Sequence, residues 1–185
     1  MKITKTEIDG LLVIQPDIFK DDRGFFFESF SKQRYEELGI TDEFVQDNIS
    51  MSNKGTVRGL HYQIGEKAQG KLCQVIEGEV LDVSVDIRFN SQTFGKHFAQ
   101  ILNSDSKKQI WIPKGFAHGF SVLSDEAIFS YKCTNYYSKA HERNILFNDP
   151  HLKIDWKIDY PTVSEKDLNA KKFKDIERDF VYKPE

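Results

Sequence analysis

Short segments in which apolar and polar residues alternate, bounded by glycine, proline, asparagine or aspartate, recur along the chain, and a period of two predicts strands with one face toward a core. The pattern predicts strands over residues 11–14, 24–30, 44–50, 57–63, 71–76, 79–87, 95–102, 109–112, 118–123 and 127–134. A helix is predicted over 32–38, with Ser31 as N-cap and Gly39 at its stop. A second opens at Ser164, with Asp167 three residues on as in a capping box, while the charged stretch 164–185 shows no regular pattern. Turns fall at Asn53-Lys54-Gly55 and Pro113-Lys114-Gly115, and Glu77-Gly78-Glu79 reads as a tight hairpin. Many short strands and few helices make the expected fold all-β, a double-sheet jelly roll or β-sandwich with a cavity between its sheets.

Alternation also assigns faces. Over 44–50, Gln46, Asn48 and Ser50 share one side, opposite Val45, Asp47 and Ile49. Alone, such a row reads as a strand facing water. The next strand changes this, because Arg58, His61 and Gln63 stand within six residues around Gly59. Arg58 and His61 differ in parity, so both reach the cavity only if the strand slips by one residue, and Gly59 is the expected place for that bulge. Tyr131 shares its face with Ala127, Phe129 and Cys133, where a tyrosine is ordinarily a core residue. Asp82, Asp86 and Arg88 share a parity and are read as a structural ion-pair ladder.

A length of 185 residues fits one domain, residues 1–185. Aromatics at 13% with 39% hydrophobic residues exclude a disordered chain. Lysine and arginine number 26 against 29 acidic residues, a net of −3 without a basic block, so no nucleic-acid partner is expected. The apolar run 11–14 is far short of the ~20 residues of a membrane helix, and residues 1–7 lack the apolar core of a signal peptide, so the protein is expected in the cytoplasm, away from membranes. Cys73 and Cys133 match no CxxC or metal-ligand spacing; one bridge is possible, and two reduced, half-buried thiols are the expectation.

One set of spacings is more specific. Gly55, His61, Gln63, Lys71 and Gly78, followed by Pro113-Lys114-Gly115-Phe116-Ala117-His118, resemble the two cupin motifs, in which a glycine, a His-x-His pair, a glutamate and a later Pro-x-Gly-x-x-His hold a metal inside a small β-barrel. His61 and His118 match two ligand positions, but Gln63 replaces the second histidine and Lys71 the carboxylate. A protonated amine has no lone pair and repels a dication, so no metal is expected.

With Asp21-Asp22-Arg23-Gly24-Phe25-Phe26-Phe27-Glu28, Gln46-Asp47-Asn48, Arg58-Gly59-Leu60-His61-Tyr62-Gln63, Lys71-Leu72, Tyr131-Lys132, Asn148-Asp149-Pro150 and Ser164-Glu165-Lys166-Asp167 in this order, the chain resembles the dTDP-4-dehydrorhamnose 3,5-epimerases, metal-free cupin-type jelly rolls. The resemblance implies a nucleotide-sugar substrate and epimerisation at the two carbons flanking a C4 ketone, with no cofactor. A proton alpha to a carbonyl is acidified because the carbanion delocalises as an enolate, so the enzyme needs a base, an acid on the opposite face and an oxyanion stabiliser. Carried over by motif, His61 is the base, Tyr131 the acid, Asp167 the partner that orients His61, and Lys71 the cation at the enolate oxygen. Arg23 and Arg58 fall near the diphosphate, Phe26, Glu28, Gln46 and Asn48 near the nucleotide or sugar, and His118, Glu142 and Lys166 on further substrate contacts. The resemblance also implies a homodimer with shared active sites, in which Arg23, Phe26 and Glu28 serve the neighbour. His97, His141 and His151 match no catalytic position. The chain departs from the family pattern after Asp167, which lacks the usual following proline, and at Asn144, where glycine is usual. Rival readings are a single-centre epimerase on another nucleotide ketosugar, a non-catalytic carbohydrate-binding jelly roll and a metal-dependent cupin.

Overall fold

Two six-stranded sheets face each other in the computed structural model, which describes residues 1–183. In chain order the strands are β1 (Lys2–Lys5), β2 (Leu12–Gln15), β3 (Phe19–Asp21), β4 (Gly24–Phe26), β5 (Gln46–Asn53), β6 (Thr56–Gln63), β7 (Lys71–Glu77), β8 (Glu79–Asp86), β9 (Arg88–Phe89), β10 (His97–Asn103), β11 (Gln109–Ile112), β12 (Phe116–Val122), β13 (Glu126–Cys133), β14 (Glu142–Asn144), β15 (Thr162–Val163) and β16 (Phe180–Val181), with short helices α1 (Lys32–Glu36) and α2 (Glu165–Leu168). The first sheet runs β1-β2-β11-β7-β13-β5 and the second β10-β8-β12-β6-β14, with β15 added on β6. The fold is the all-β double-sheet jelly roll that the alternation predicts. Residues 184–185, which end the unpatterned stretch, lie outside the described residues.

Segments long enough to alternate reappear within a few residues of their predicted bounds. Segment 24–30 does not: only Gly24–Phe26 is paired, with β3, in a hairpin off both sheets, and its three successive phenylalanines give no alternation to bury. The two- to four-residue strands β1, β9, β14, β15 and β16 are too short to show a period. The predicted hairpin at Glu77-Gly78-Glu79 is also corrected. β7 and β8 belong to different sheets, so Gly78 is a corner, with φ +80° and no room for a Cβ beside the Glu126 carbonyl. The turns at Asn53-Lys54-Gly55 and Pro113-Lys114-Gly115 are likewise corners between sheets.

Three apolar clusters hold these layers. Val75, Val80, Leu102, Ile110, Val122 and Phe129 fill part of the space between the sheets. Leu60, Leu81, Val83 and Val85 face outward from the second sheet, under a cover that includes Ile145, Phe147, Trp156 and Phe173. Tyr35 of α1 and Ile40 cover Ile14, Leu72 and Trp111 on the first sheet's outer face. No helix among the described residues is long and apolar enough to cross a membrane.

The slip expected in β6 is present. His61 pairs with His118 and Arg58 with Phe120, so Gly59 and Leu60 together oppose Gly119. Gly59 has φ +119°, and its peptide with Leu60 is cis. A Cβ on Gly59 would stand 2.5 Å from the Gly119 Cα and 2.7 Å from the His118 carbonyl. Gly59→Ala should therefore destabilise the protein by roughly 2–4 kcal/mol, read as a lower urea midpoint at unchanged m-value.

Candidate active site

The slip turns Arg58, His61 and Gln63 toward the other sheet while Val57, Leu60 and Tyr62 stay in the outer core. His61 Nε2 lies 2.6 Å from Asp167 Oδ1, and the Gly59 N–H donates to Asp167 Oδ2 at 3.4 Å. Asp167 is buried, supplied by α2, whose N-cap Ser164 Oγ accepts from the Asp167 N–H at 3.2 Å. Burial pushes the Asp167 carboxyl up, but the His61 hydrogen bond and charge, with Gly59 and Ser164, hold it below the usual aspartate range. An ionised carboxylate only accepts, so the Nε2 facing it carries a proton, and in the neutral imidazole Nδ1 is the nitrogen with the free lone pair.

Across the cavity, the first sheet contributes Tyr131 on β13, Lys71 on β7, and Gln46 and Asn48 on β5. Pairing sets their common face: Tyr131 stands opposite Asn48 and Cys73, and Cys133 opposite Gln46 and Lys71. The Lys71 ammonium lies 5.8 Å from the Tyr131 ring centre, with no carboxylate in ion-pair contact among the described residues. Burial pushes the Tyr131 phenol up to about 12, so it stays protonated at neutral pH. A cavity of about 180 Å³ separates His61 from these groups, and a second of about 160 Å³ adjoins it between Arg58, Phe120 and Phe129.

Other predicted site residues lie around this centre. The Arg58 Nε donates to Ser52 Oγ at 2.9 Å, spanning the two sheets. His118 Nε2 lies 2.8 Å from Asp82 Oδ2, its ring stacked on Phe129. Asp82 therefore belongs to no ladder with Asp86 and Arg88: those two pair with each other, while Asp82, opposite Phe120 in the β8–β12 ladder, reaches diagonally to His118. Glu142 and Lys166 are ion-paired at 2.6 Å on the rim, and Tyr137 donates to Glu142 at 3.1 Å. Arg23, Phe26 and Glu28 are not brought to this cavity. Phe26 is 65% exposed on the β3–β4 hairpin, Arg23 pairs with Asp21, and Glu28 pairs with Arg34.

Gln63 donates to the Lys67 and Tyr136 carbonyls and accepts from the Ser138 N–H, so its amide ties loops together. Cys73 and Cys133 are free and fully buried rather than half-buried, because both point between the sheets. Cys73, Asp82 and His118, all buried, bring one possible ligand atom each within 4.8 Å of one another, and burial holds the Cys73 thiol well above its usual range. Tyr137 and Gln69, which also line the cavity, sit in loops where no periodicity marks them. Asp82 carried a signal only through its parity with Asp86 and Arg88, and Asn144 only as a departure from the family pattern.

Known proteins match this chain over nearly its whole length. The family model described as dTDP-4-dehydrorhamnose 3,5-epimerase matches residues 5–175. The dTDP-4-dehydrorhamnose 3,5-epimerase of Shigella flexneri is 53% identical over 178 residues, covering 96% of this chain and 98% of that protein. Among solved structures, the dTDP-6-deoxy-D-glucose-3,5-epimerase of Legionella pneumophila, in complex with dTDP-4-keto-L-rhamnose, superposes with a TM-score of 0.95 at 52% identity, covering 99% of both chains. A 3'-monoepimerase from Streptomyces bikiniensis, in complex with dTDP-quinovose, gives 0.86 at 30% identity, covering 91% of this chain and 86% of its own.

The depressed Asp167 carboxyl adds stability that is fully present above its unfolded value near ~3.9 and is lost as pH falls through the lower folded value. In urea titrations, Asp167→Asn should be less stable than wild type at pH 6, and the gap should narrow as pH drops below about 4.

Proposed function

This chain belongs to the dTDP-4-dehydrorhamnose 3,5-epimerase family, and from that membership we propose a mechanism in which His61 and Tyr131 invert C3 and C5 of dTDP-4-dehydro-6-deoxy-D-glucose. One observation carries the reading: the candidate base and the candidate acid come from opposite sheets and face each other across one cavity. Epimerisation needs proton removal on one face of the sugar carbon and proton delivery on the other, and two walls of a sandwich supply that disposition.

His61 Nδ1 takes the proton alpha to the C4 ketone, and the C–H electron pair becomes the enolate. The imidazolium that forms is stabilised by Asp167, 2.6 Å away. Lys71 sets an ammonium beside the oxygen that gains charge, a stabilisation realised mainly in the transition state. Tyr131 then delivers its phenolic proton to the carbon from the other side. With its phenol pushed up to about 12, Tyr131 enters each turnover as a donor. Solvent restores the proton to Tyr131 and removes one from His61, which resets the pair and makes exchange with water measurable. Both carbons flank the same ketone, so the same groups serve each in turn.

The diphosphate is assigned to Arg58, whose guanidinium suits paired phosphate oxygens, and to Lys166, which would leave Glu142 for it. Gln46, Asn48 and His118 are assigned to the sugar and base. Arg23, Phe26 and Glu28 are assigned to the site of a second subunit in a homodimer. Support comes from the hairpin that carries the first two: Phe19, Phe25 and Phe26 are 61%, 56% and 65% exposed, a large apolar surface for an unpartnered segment. We place the enzyme in the cytoplasm, where two free thiols stay reduced.

Incubation with dTDP-4-keto-6-deoxyglucose in deuterated water should place deuterium at C3 and C5 by NMR, and His61→Ala should abolish both. Label at one carbon only would favour the single-centre reading, and none at either would overturn the mechanism. Sedimentation should show a dimer, and mixing Arg23→Ala with His61→Ala subunits should restore roughly a quarter of the sites through hybrid dimers. A monomer, or no recovery on mixing, would overturn the shared site.

A further inference from the structure

We infer that Asn144 is a positioning residue for the His61–Asp167 pair, an inference that rests on the base and carboxylate roles proposed above. Asn144 ends β14 and stands directly opposite His61 in the β14–β6 ladder. Its Nδ2 donates to the Lys166 carbonyl at 3.1 Å, one residue before Asp167. A single side chain therefore joins the strand position beside the base to the helix that carries the base's partner.

The chain is anchored on either side of that helix, by β15 on β6 and by the Ile145–Lys171 bridge, and the helix itself is set by side-chain contacts. α2 is four residues long, a length at which helix formation contributes no stability of its own. Besides the bonds that Asp167 makes to His61 and Gly59, α2 is tied to β14 at Lys166 alone, through Glu142 on the ammonium and Asn144 on the carbonyl. Turnover disturbs the charged contacts: His61 gains and loses a proton, and a bound diphosphate competes with Glu142 for Lys166. The Asn144 amide neither titrates nor carries charge, so its bond persists through the cycle and keeps Asp167 within reach of Nε2.

The experiment compares Asn144→Gly and Asn144→Leu, the second matched in size but without a donor, each alone and with Asp167→Asn, by steady-state kinetics on dTDP-4-keto-6-deoxyglucose. Thermal unfolding is followed alongside. Each single substitution should lower kcat about tenfold with KM within about twofold, because a loosened Asp167 misorients the base without removing a substrate contact. On the Asp167→Asn background, the same substitutions should change kcat less than about twofold, since nothing remains to position. Wild-type kcat in both single variants, or a full tenfold loss that persists on the Asp167→Asn background, would overturn the inference while leaving the proposed chemistry intact. Wild-type kcat in Asp167→Asn itself would show that the dyad reading has failed, and the inference with it.

Discussion

Two glycine backbones, Gly59 and Gly119, approach so closely that neither has room for a side chain, and the site is built around that contact. A Cβ on Gly119 would stand 2.6 Å from the Arg58 carbonyl, and one on Gly59 would meet Gly119 and His118. The approach lets β6 carry one residue more than β12 opposes, and this reverses the parity of the strand between Arg58 and His61. Without the reversal, one of those side chains would enter the outer core beside Leu60 and Tyr62, where an unpaired polar group costs several kcal/mol. Gly59 also turns its N–H to Asp167, so the residue that aims His61 holds the carboxylate that His61 meets.

The interior is divided between two functions. Along β8, Val80 joins the apolar cluster between the sheets, while Asp82, Ser84 and Asp86 follow on the same face, all fully buried. Asp82 is matched by His118, and Asp86 by Arg88, Ser91 and Thr93. Buried charges of this kind add little net stability even when paired, since desolvation offsets the attraction. The fold carries them because both sheets are also apolar on their outer faces, under α1 on one side and the segment around Ile145, Phe147 and Trp156 on the other. Much of the hydrophobic stabilisation lies outside the sandwich, which leaves its inner space available for a wet, polar site.

Particular residues show how far the amino-acid order could be read. The mismatch of parity between Arg58 and His61, with a glycine between them, was enough to locate the slip in β6. The alternation of Gln46, Asn48 and Ser50 against Val45, Asp47 and Ile49 identified the polar face of β5, and pairing with Tyr131 and Cys133 then set that face toward the cavity. The three corners were legible as turns but not as corners, because a glycine between two strands looks the same whether those strands pair or part into separate sheets. Asp82 was grouped with Asp86 and Arg88 by parity, yet its partner His118 comes from β12, diagonal to the Phe120 that stands opposite it, and only the pairing of those two strands brings the side chains together. Likewise Asn144 stood out merely as a departure from the family pattern; its contact depends on where α2 docks, a matter of long-range packing.

By itself, then, the order of residues determined the strand rhythm, the polar inner faces, the slip at Gly59 and, through ordered motifs, the family. Those features are local: each is a relation among residues within one strand or one turn, imposed by the two-residue period and by which residues tolerate positive φ. Tertiary structure alone decided that His61 meets Asp167, 106 positions away, that His118 takes Asp82, and that Arg23, Phe26 and Glu28 stand clear of the cavity in their own chain. Such pairings depend on sheet order and on the docking of a four-residue helix, which are settled by how whole layers bury their apolar faces rather than by any segment's own preference.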